Sequence, residues 1–209
     1  MRSEGPSPER DEPSFIEAAR RAQIIECAID TIASVGYARA SLARVAKRAG
    51  ISKGVISYHF AGKDDLITQI VGAVLSSFDS FVRSRMMKQC SAADLLRVFI
   101  ESNIAFIGSH RKQLRALIEI LTNARTEDGK PLLDPAVAER EIASLERILR
   151  RGQQKGEFRK FSTRVMAVTI RAAAIDVAVG QSAANPNFDL NAYARELMTM
   201  FDLATRRTP

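Results

Sequence analysis

Ser41-Leu42-Ala43-Arg44-Val45-Ala46-Lys47-Arg48-Ala49-Gly50-Ile51-Ser52-Lys53-Gly54-Val55-Ile56-Ser57-Tyr58-His59-Phe60 is the stretch whose reading decides the fold. Ser41 stands where a helix N-cap belongs, and Leu42, Val45, Ala46 and Ala49 follow it at helical spacing. Gly50 ends this short helix, because glycine readily takes the left-handed conformation that a helix C-terminus often needs. Ile51 then turns inward, Ser52 caps again, and a second short helix runs through His59. Upstream, Phe15, Ala18, Ala22, Ile25, Ala28, Ile29 and Ile32 predict a helix over 15–35, stopped at Gly36. Two short helices joined by a glycine turn and braced by a longer one make a helix-turn-helix.

That spacing carries a mechanism. Ile51, Ile56 and Phe60 clamp the second short helix inward, which leaves Lys53, Gly54, Val55, Ser57, Tyr58 and His59 for the DNA major groove and its flanking phosphates. Gly54 permits close backbone approach, Val55 can touch a thymine methyl, and the Ser57 and Tyr58 hydroxyls can bond phosphate or base edges. Helix N-termini favour phosphate through their free N–H groups, which gives Ser41, Ser52 and Lys63 anchoring roles.

The charge pattern points the same way. The whole chain of 209 residues carries +7, but between Asp30 and Asp64 no acidic residue occurs, while Arg39, Arg44, Lys47, Arg48, Lys53 and Lys63 do. A single-sign basic patch attracts a phosphate backbone; a merely solvated face would usually have carboxylates interspersed.

The run Gly36-Tyr37, Ser41-Leu42, Val45-Ala46, Ala49 through Phe60, then Lys63-Asp64-Asp65-Leu66, resembles the TetR family of regulators, as do Arg21, Ile24, Ile25 and Ala28 before it. The resemblance covers about a quarter of the chain. It implies an Ω-like all-helical dimer of roughly nine helices per subunit: three in a DNA-binding head and the rest in a body that binds ligand and dimerises. Members of that family are mostly repressors released from palindromic operators when a small molecule binds the body. On the matching positions, Ser41, Arg44, Ser52, Lys53, Gly54, Ser57, Tyr58, His59 and Lys63 would line double-stranded DNA. Ser57 stands where the family usually has Tyr, and Val55 where Thr is common, so the operator sequence does not carry over.

The rest of the chain reads as helix throughout, and the fold class is all-α. Helix formers dominate, and Gly and Pro fall mostly between periodic segments. Residues 1–14, rich in Pro, Glu and Arg, read as a disordered tail, 15–62 as the DNA-binding domain and 63–209 as the body. A long helix from Lys63 to about Met87 would connect the two. Helices are expected over 92–108, 111–125, from Pro135 with Asp134 as its cap, over 162–184 and over 189–206.

Two body features bear on function. On the 92–108 helix, Asn103 falls within the apolar stripe. A buried amide needs partners, so it either orients a ligand in an apolar pocket with Phe99, Phe106 and Leu121, or bonds a neighbouring helix in the core. The 162–184 helix is apolar almost all round and must be covered on several sides. A homodimer interface through Val168, Ala172, Ile175, Val179, Leu197 and Phe201 would do that; a monomer burying both last helices internally is the alternative. Arg171 and Asp176 either pair across such an interface or sit at a solvated edge.

Composition excludes other classes. Cys27 and Cys90 read as buried small hydrophobes of a reducing cytoplasm, and two cysteines with two histidines cannot build a thiolate-rich zinc site. No unbroken apolar run reaches the roughly 18 residues of a membrane span. No catalytic grouping or phosphate-binding glycine loop is apparent, so neither an enzyme nor a cofactor is expected. The partners expected are double-stranded DNA, a largely apolar small-molecule effector and a second copy of the chain. An activator, a nonspecific DNA binder and a helical small-molecule-binding module without operator function remain as other readings.

Overall fold

A computed structural model describes residues 15–126 and 128–207; the tail expected over 1–14 lies outside them. Among the described residues there are nine helices and no β-strand beyond isolated bridges. They are α1 (Phe15–Val35), α2 (Leu42–Ala49), α3 (Lys53–His59), α4 (Lys63–Met86), α5 (Ala92–Ser109), α6 (Arg111–Asn123), α7 (Ala136–Gln154), α8 (Thr163–Ala184) and α9 (Leu190–Thr205). The sequence boundaries hold to within two residues because side chains mark them. Ser41 Oγ accepts from the Arg44 N–H, Ser52 Oγ from Val55, Ser91 Oγ from Asp94, and Asp134 Oδ1 from Ala136. Gly50, at φ 67°, sends its N–H back to the last carbonyls of α2.

One apolar core runs from α1 to α9. In the head, Ile24, Ala28, Ile29 and Ile32 of α1 meet Val45, Ala46, Ile56 and Phe60, and the core continues through Leu66, Ile67 and Ile70 into the body. Each such aliphatic chain withdrawn from water contributes about 1.5–3 kcal/mol before entropy is counted. Polar contacts stitch the head to the body across α1 and α6. Lys112 Nζ lies 3.1 Å from Asp30, which also receives Arg48 at 3.5 Å, and Glu119 Oε2 accepts from the Tyr37 N–H at 3.1 Å.

α8 is not uniform. Thr163–Arg171 is α-helical, Ala172–Val177 is π-helical, and Ala178–Ala184 returns to α-helix. Arg171 stands at the start of this π segment, with Nε 2.8 Å from Glu141 Oε2 on α7 and Nη1 2.8 Å from Asp176 Oδ2. Arg171 and Asp176 therefore pair inside one chain. Burial pushes the Glu141 carboxyl above its ordinary value despite the guanidinium beside it.

One expectation is corrected. Cys90 is exposed in the turn between α4 and α5, following the last turn of α4 rather than continuing its apolar stripe, and Cys27 is only half-buried although it packs against the core. Burial, followed by the Asp30 charge, raises the Cys27 thiol. Although no unbroken apolar run is long enough, α4 and α8 each contain a window of mean hydropathy 1.3, which is sufficient by length and composition alone to cross a bilayer. In α4 that character comes from the inner face, Leu66, Ile67, Ile70, Val71, Val74 and Val82, which is core.

Candidate nucleic-acid interface and body cavity

α3 is held from beneath. Ile56 and Phe60 are buried against α1 and α2, and the Arg21 guanidinium of α1 both donates to the His59 carbonyl and lies 4.6 Å above the Phe60 ring. A cation over an aromatic face adds to the apolar contact beneath it. With its inner side fixed in this way, α3 turns Lys53, Gly54, Ser57 and Tyr58 outward, while Val55 and His59 are half-buried at the edges of the same face. Ser41 and Arg44, at the start of α2, are also exposed.

Tyr58 is 74% exposed, yet it is not loose. Its hydroxyl donates to Glu17 Oε1 on α1 at 3.0 Å, and its ring stands edge-on to His59. The Glu17 hydrogen bond holds the phenol above its ordinary pKa. Sequence reasoning missed Glu17, because nothing local connects residues 41 positions apart.

The basic patch divides into two sets. Arg48 is tied to Asp30, Arg39 Nε bonds the Val35 carbonyl, and Lys63 Nζ donates to the Tyr37 carbonyl while standing 4.2 Å from that ring's centroid. Arg44, Lys47 and Lys53 are exposed and make no ion pair among the described residues. Lys47, outside the expected DNA-lining set, is exposed and basic like Arg44 and Lys53.

Residues 24–70 match the family model of bacterial regulatory proteins, tetR family. Over that stretch the chain is similar to the TetR family. The match spans the end of α1, the helix-turn-helix and the start of α4. Among curated relatives, the HTH-type transcriptional regulator BetI 1 of Chromohalobacter salexigens is 38% identical over 89 residues, which is 42% of this chain and 44% of that protein. BetI of Pseudomonas fluorescens is 36% identical over 90 residues, 42% of this chain and 46% of its own. The matched stretch thus spans less than half the length of these relatives. The fold extends further. The fatty acid degradation regulator FadR from Bacillus halodurans superposes with a TM-score of 0.70 at 21% identity, covering 92% of this chain and 96% of its own. The transcriptional regulator FadR from Bacillus subtilis in complex with stearoyl-CoA gives 0.69 at 19%, covering 86% and 96%.

The helical body contains a cavity of about 730 Å³ between α4, α5 and α7, within the roughly 300–1,000 Å³ of small-molecule sites. Its walls are apolar: Leu75, Phe78, Val82, Phe99, Leu145 and Ile148. Its mouth carries Asp79, Arg83, Arg140, Ser144 and Arg147, all exposed, and Glu141 is half-buried. Asn103 reaches it from α5. That residue is fully buried; its Nδ2 donates to the Phe99 carbonyl at 2.6 Å, while Oδ1 has no hydrogen-bond partner among the described residues.

Of the four expected ligand residues, the structure brings Phe99 and Asn103 to this cavity and leaves two elsewhere. Phe106 is a core wedge, with Phe78 and Phe81 edge-on to it and His110 stacked on it at 3.9 Å. Leu121 packs on the core from α6. Both have the right hydrophobicity, but they face other neighbours.

The expected dimer residues also separate. Val168 is 41% exposed and Ala172, Ile175 and Val179 are half-buried, whereas Leu197 and Phe201 are buried within the subunit. The stripe Leu190, Ala194, Leu197 and Phe201 is the inner face of α9, and hydrophobic periodicity finds inner faces first. Met200 and Leu203, on the outer side of α9, are exposed together with Val165 and Val177 of α8.

Proposed function

We propose that this chain is a TetR-family, sequence-specific transcriptional repressor that binds a palindromic operator as a homodimer and releases it when a small molecule fills the α4–α5–α7 cavity. The observation that carries the DNA reading is the α3 face. It is anchored inward by Ile56, Phe60 and Arg21, and outward it presents Lys53, Gly54, Ser57 and Tyr58 beside the uncommitted cations Arg44 and Lys47. Such a face meets both requirements of recognition: phosphate contacts that fix position and side chains free to reach base edges. Val55 and His59 contribute from its edges, and Ser41, Ser52 and Lys63 hold the backbone where helix N-termini approach it. The BetI relatives, named as transcriptional regulators, support this reading.

The division of labour follows the helices: 15–62 is the reading head and 63–209 the body, acting in the cytoplasm without catalysis. The exposed apolar residues of α8 and α9 give the body a surface that a second copy would cover, which sets two heads at a fixed separation for two half-sites. The cavity borders α4, whose first residue, Lys63, is clasped by Tyr37 of the head. A ligand that shifts α4 therefore moves the head. The fold neighbour from Bacillus subtilis, solved with stearoyl-CoA, supports a ligand-binding body.

Selection from a pool of random duplexes at near-physiological salt tests the proposal. Enrichment of an inverted repeat is expected. Equal retention of all sequences would favour a nonspecific binder, and no retention would remove the DNA reading. An operator found to increase transcription from its promoter would make the protein an activator.

A further inference from the structure

We propose that the body cavity selects an amphipathic carboxylate whose buried end carries a neutral hydrogen-bond donor, most simply a hydroxyl, paired with Asn103 Oδ1. The inference rests on reading the cavity as the effector site and specifies which molecules that site accepts. The deep wall decides one end of the ligand. Asn103 is fully buried in the wall of the cavity, its amide nitrogen is committed to the Phe99 carbonyl at 2.6 Å, and its oxygen has no partner among the described residues. An unmet buried acceptor is destabilising, because it has given up water without gaining a partner. A ligand that supplies an O–H there recovers that cost, whereas a plain hydrocarbon end does not.

The donor is neutral because the cavity offers an ammonium no free counter-charge at that depth. Glu141 is the half-buried carboxylate nearest to the role, but its Oε2 is taken by Arg171 at 2.8 Å, and burial disfavours its charged form. Asp79 lies at the exposed mouth and is paired with Arg83 at 2.8 Å. The mouth decides the other end. Arg140 and Arg147 line it without an ion pair among the described residues, so an anionic head group meets guanidinium there, while the apolar walls accept the chain between.

The test uses matched probes: the ω-hydroxy and the unsubstituted fatty acids of eight, ten and twelve carbons, with the methyl ester of each hydroxy acid. Binding is measured by calorimetry on the full-length protein, and operator release is measured in parallel. The best-fitting hydroxy acid is expected to bind about tenfold more tightly than its unsubstituted partner. Asn103→Leu should erase that preference while keeping the helical circular dichroism of the wild type. The double substitution Arg140→Ala and Arg147→Ala should weaken both acids alike and leave the ester unchanged.

Equal binding of both acids to the wild type, or a preference that survives Asn103→Leu, would overturn the proposal. So would failure of every probe to bind, even if an unrelated compound still released the operator; the effector reading would then stand. Selective binding that left operator affinity untouched would reverse the case, keeping the donor rule and removing the effector reading.

Discussion

The head and the body keep their polar groups in opposite ways. In the head, Ser41 and Ser52 cap their own helices, Arg21 satisfies the His59 carbonyl, Tyr58 rests on Glu17, and the interior is entirely aliphatic and aromatic apart from Thr31, which bonds the Cys27 carbonyl. What has no ion pair among the described residues, Arg44, Lys47 and Lys53, is exposed to water. The body buries Asn103 with an unmet oxygen and holds the Arg171–Glu141 pair largely out of solvent. A head waiting for a polyanion can keep its charges hydrated at little cost until DNA arrives. A body waiting for a small molecule must keep its recognition group in a dry wall, where the empty state is less stable. Reading residues of the head should thus be removable without loss of stability, whereas polar groups of the body should not be neutral to change.

The largest expected effect comes from the head's apolar anchor rather than its reading face. Phe60→Ala removes a buried ring beneath α3 and should cost about 3–5 kcal/mol. Denaturant titration followed by circular dichroism measures this. Operator binding should fall with it, because α3 loses the surface that fixes its angle. A stable variant with normal binding would mean that Ile56 and Arg21 suffice to position α3.

Next comes the body's ion pair. Arg171→Ala leaves Glu141 buried without its guanidinium and should cost about 2 kcal/mol at neutral pH, less than the roughly 3–5 of wholly enclosed pairs because Glu141 keeps some solvent contact. The pH dependence has a definite sign. The folded pKa of Glu141 is already raised by burial and rises further without Arg171. Its favourable protonated form is therefore present at low pH and lost as pH rises through that value. The deficit of the variant should be smaller at pH 5 than at pH 7. A deficit independent of pH would assign the loss to packing of the Arg171 stem.

Tyr58→Ala sharpens the contrast from the other side. The side chain is mostly exposed, so the melting curve should shift by no more than about 0.5 kcal/mol. Operator affinity should fall about tenfold, in the range of a lost base or phosphate contact. Loss of stability without loss of affinity would make the Glu17 hydrogen bond a structural tie and nothing more.

The same contrast explains what the sequence made legible. Helix boundaries were readable nearly everywhere because caps and glycines are local signals: Ser41, Gly50, Ser52 and Asp134 act on residues two to four positions away. The α3 face was readable because a seven-residue helix with Ile56 buried leaves little choice about what points out. Asn103 was readable as an exception in an apolar stripe. Its companions were not: Phe106 and Leu121 are apolar residues among apolar residues, and only the packing of α4 and α7 decides which of them faces a void. Leu197 and Phe201, expected at an interface, lie on the inner face of their own subunit for the same reason. Periodicity identifies the strongest apolar face of α9, which its own subunit claims, and leaves Met200 and Leu203 unannounced. Glu17 with Tyr58 and Arg171 with Glu141 are pairings of distant positions, for which one sequence holds no signal.

Asp30 is where the two regimes meet, and its removal should have only a small effect on stability. Its carboxylate is shared by Arg48 of the head and Lys112 of α6, and it remains a third exposed. Shared, partly solvated pairs of this kind contribute under about 1 kcal/mol, so Asp30→Ala should barely move the unfolding transition. It should nonetheless tighten DNA binding at low salt, since it deletes a carboxylate that neutralises Arg48 beside the basic face, and that gain should vanish as salt screens it. The informative quantity is the drop in operator affinity caused by effector. If α6 transmits the ligand's presence through Lys112 and Asp30, the drop should shrink in the variant although both end states remain folded. An unchanged drop would assign the coupling to the continuous apolar core along α4 and to the Lys63–Tyr37 clasp at its start, making the charged stitch between head and body a matter of alignment only.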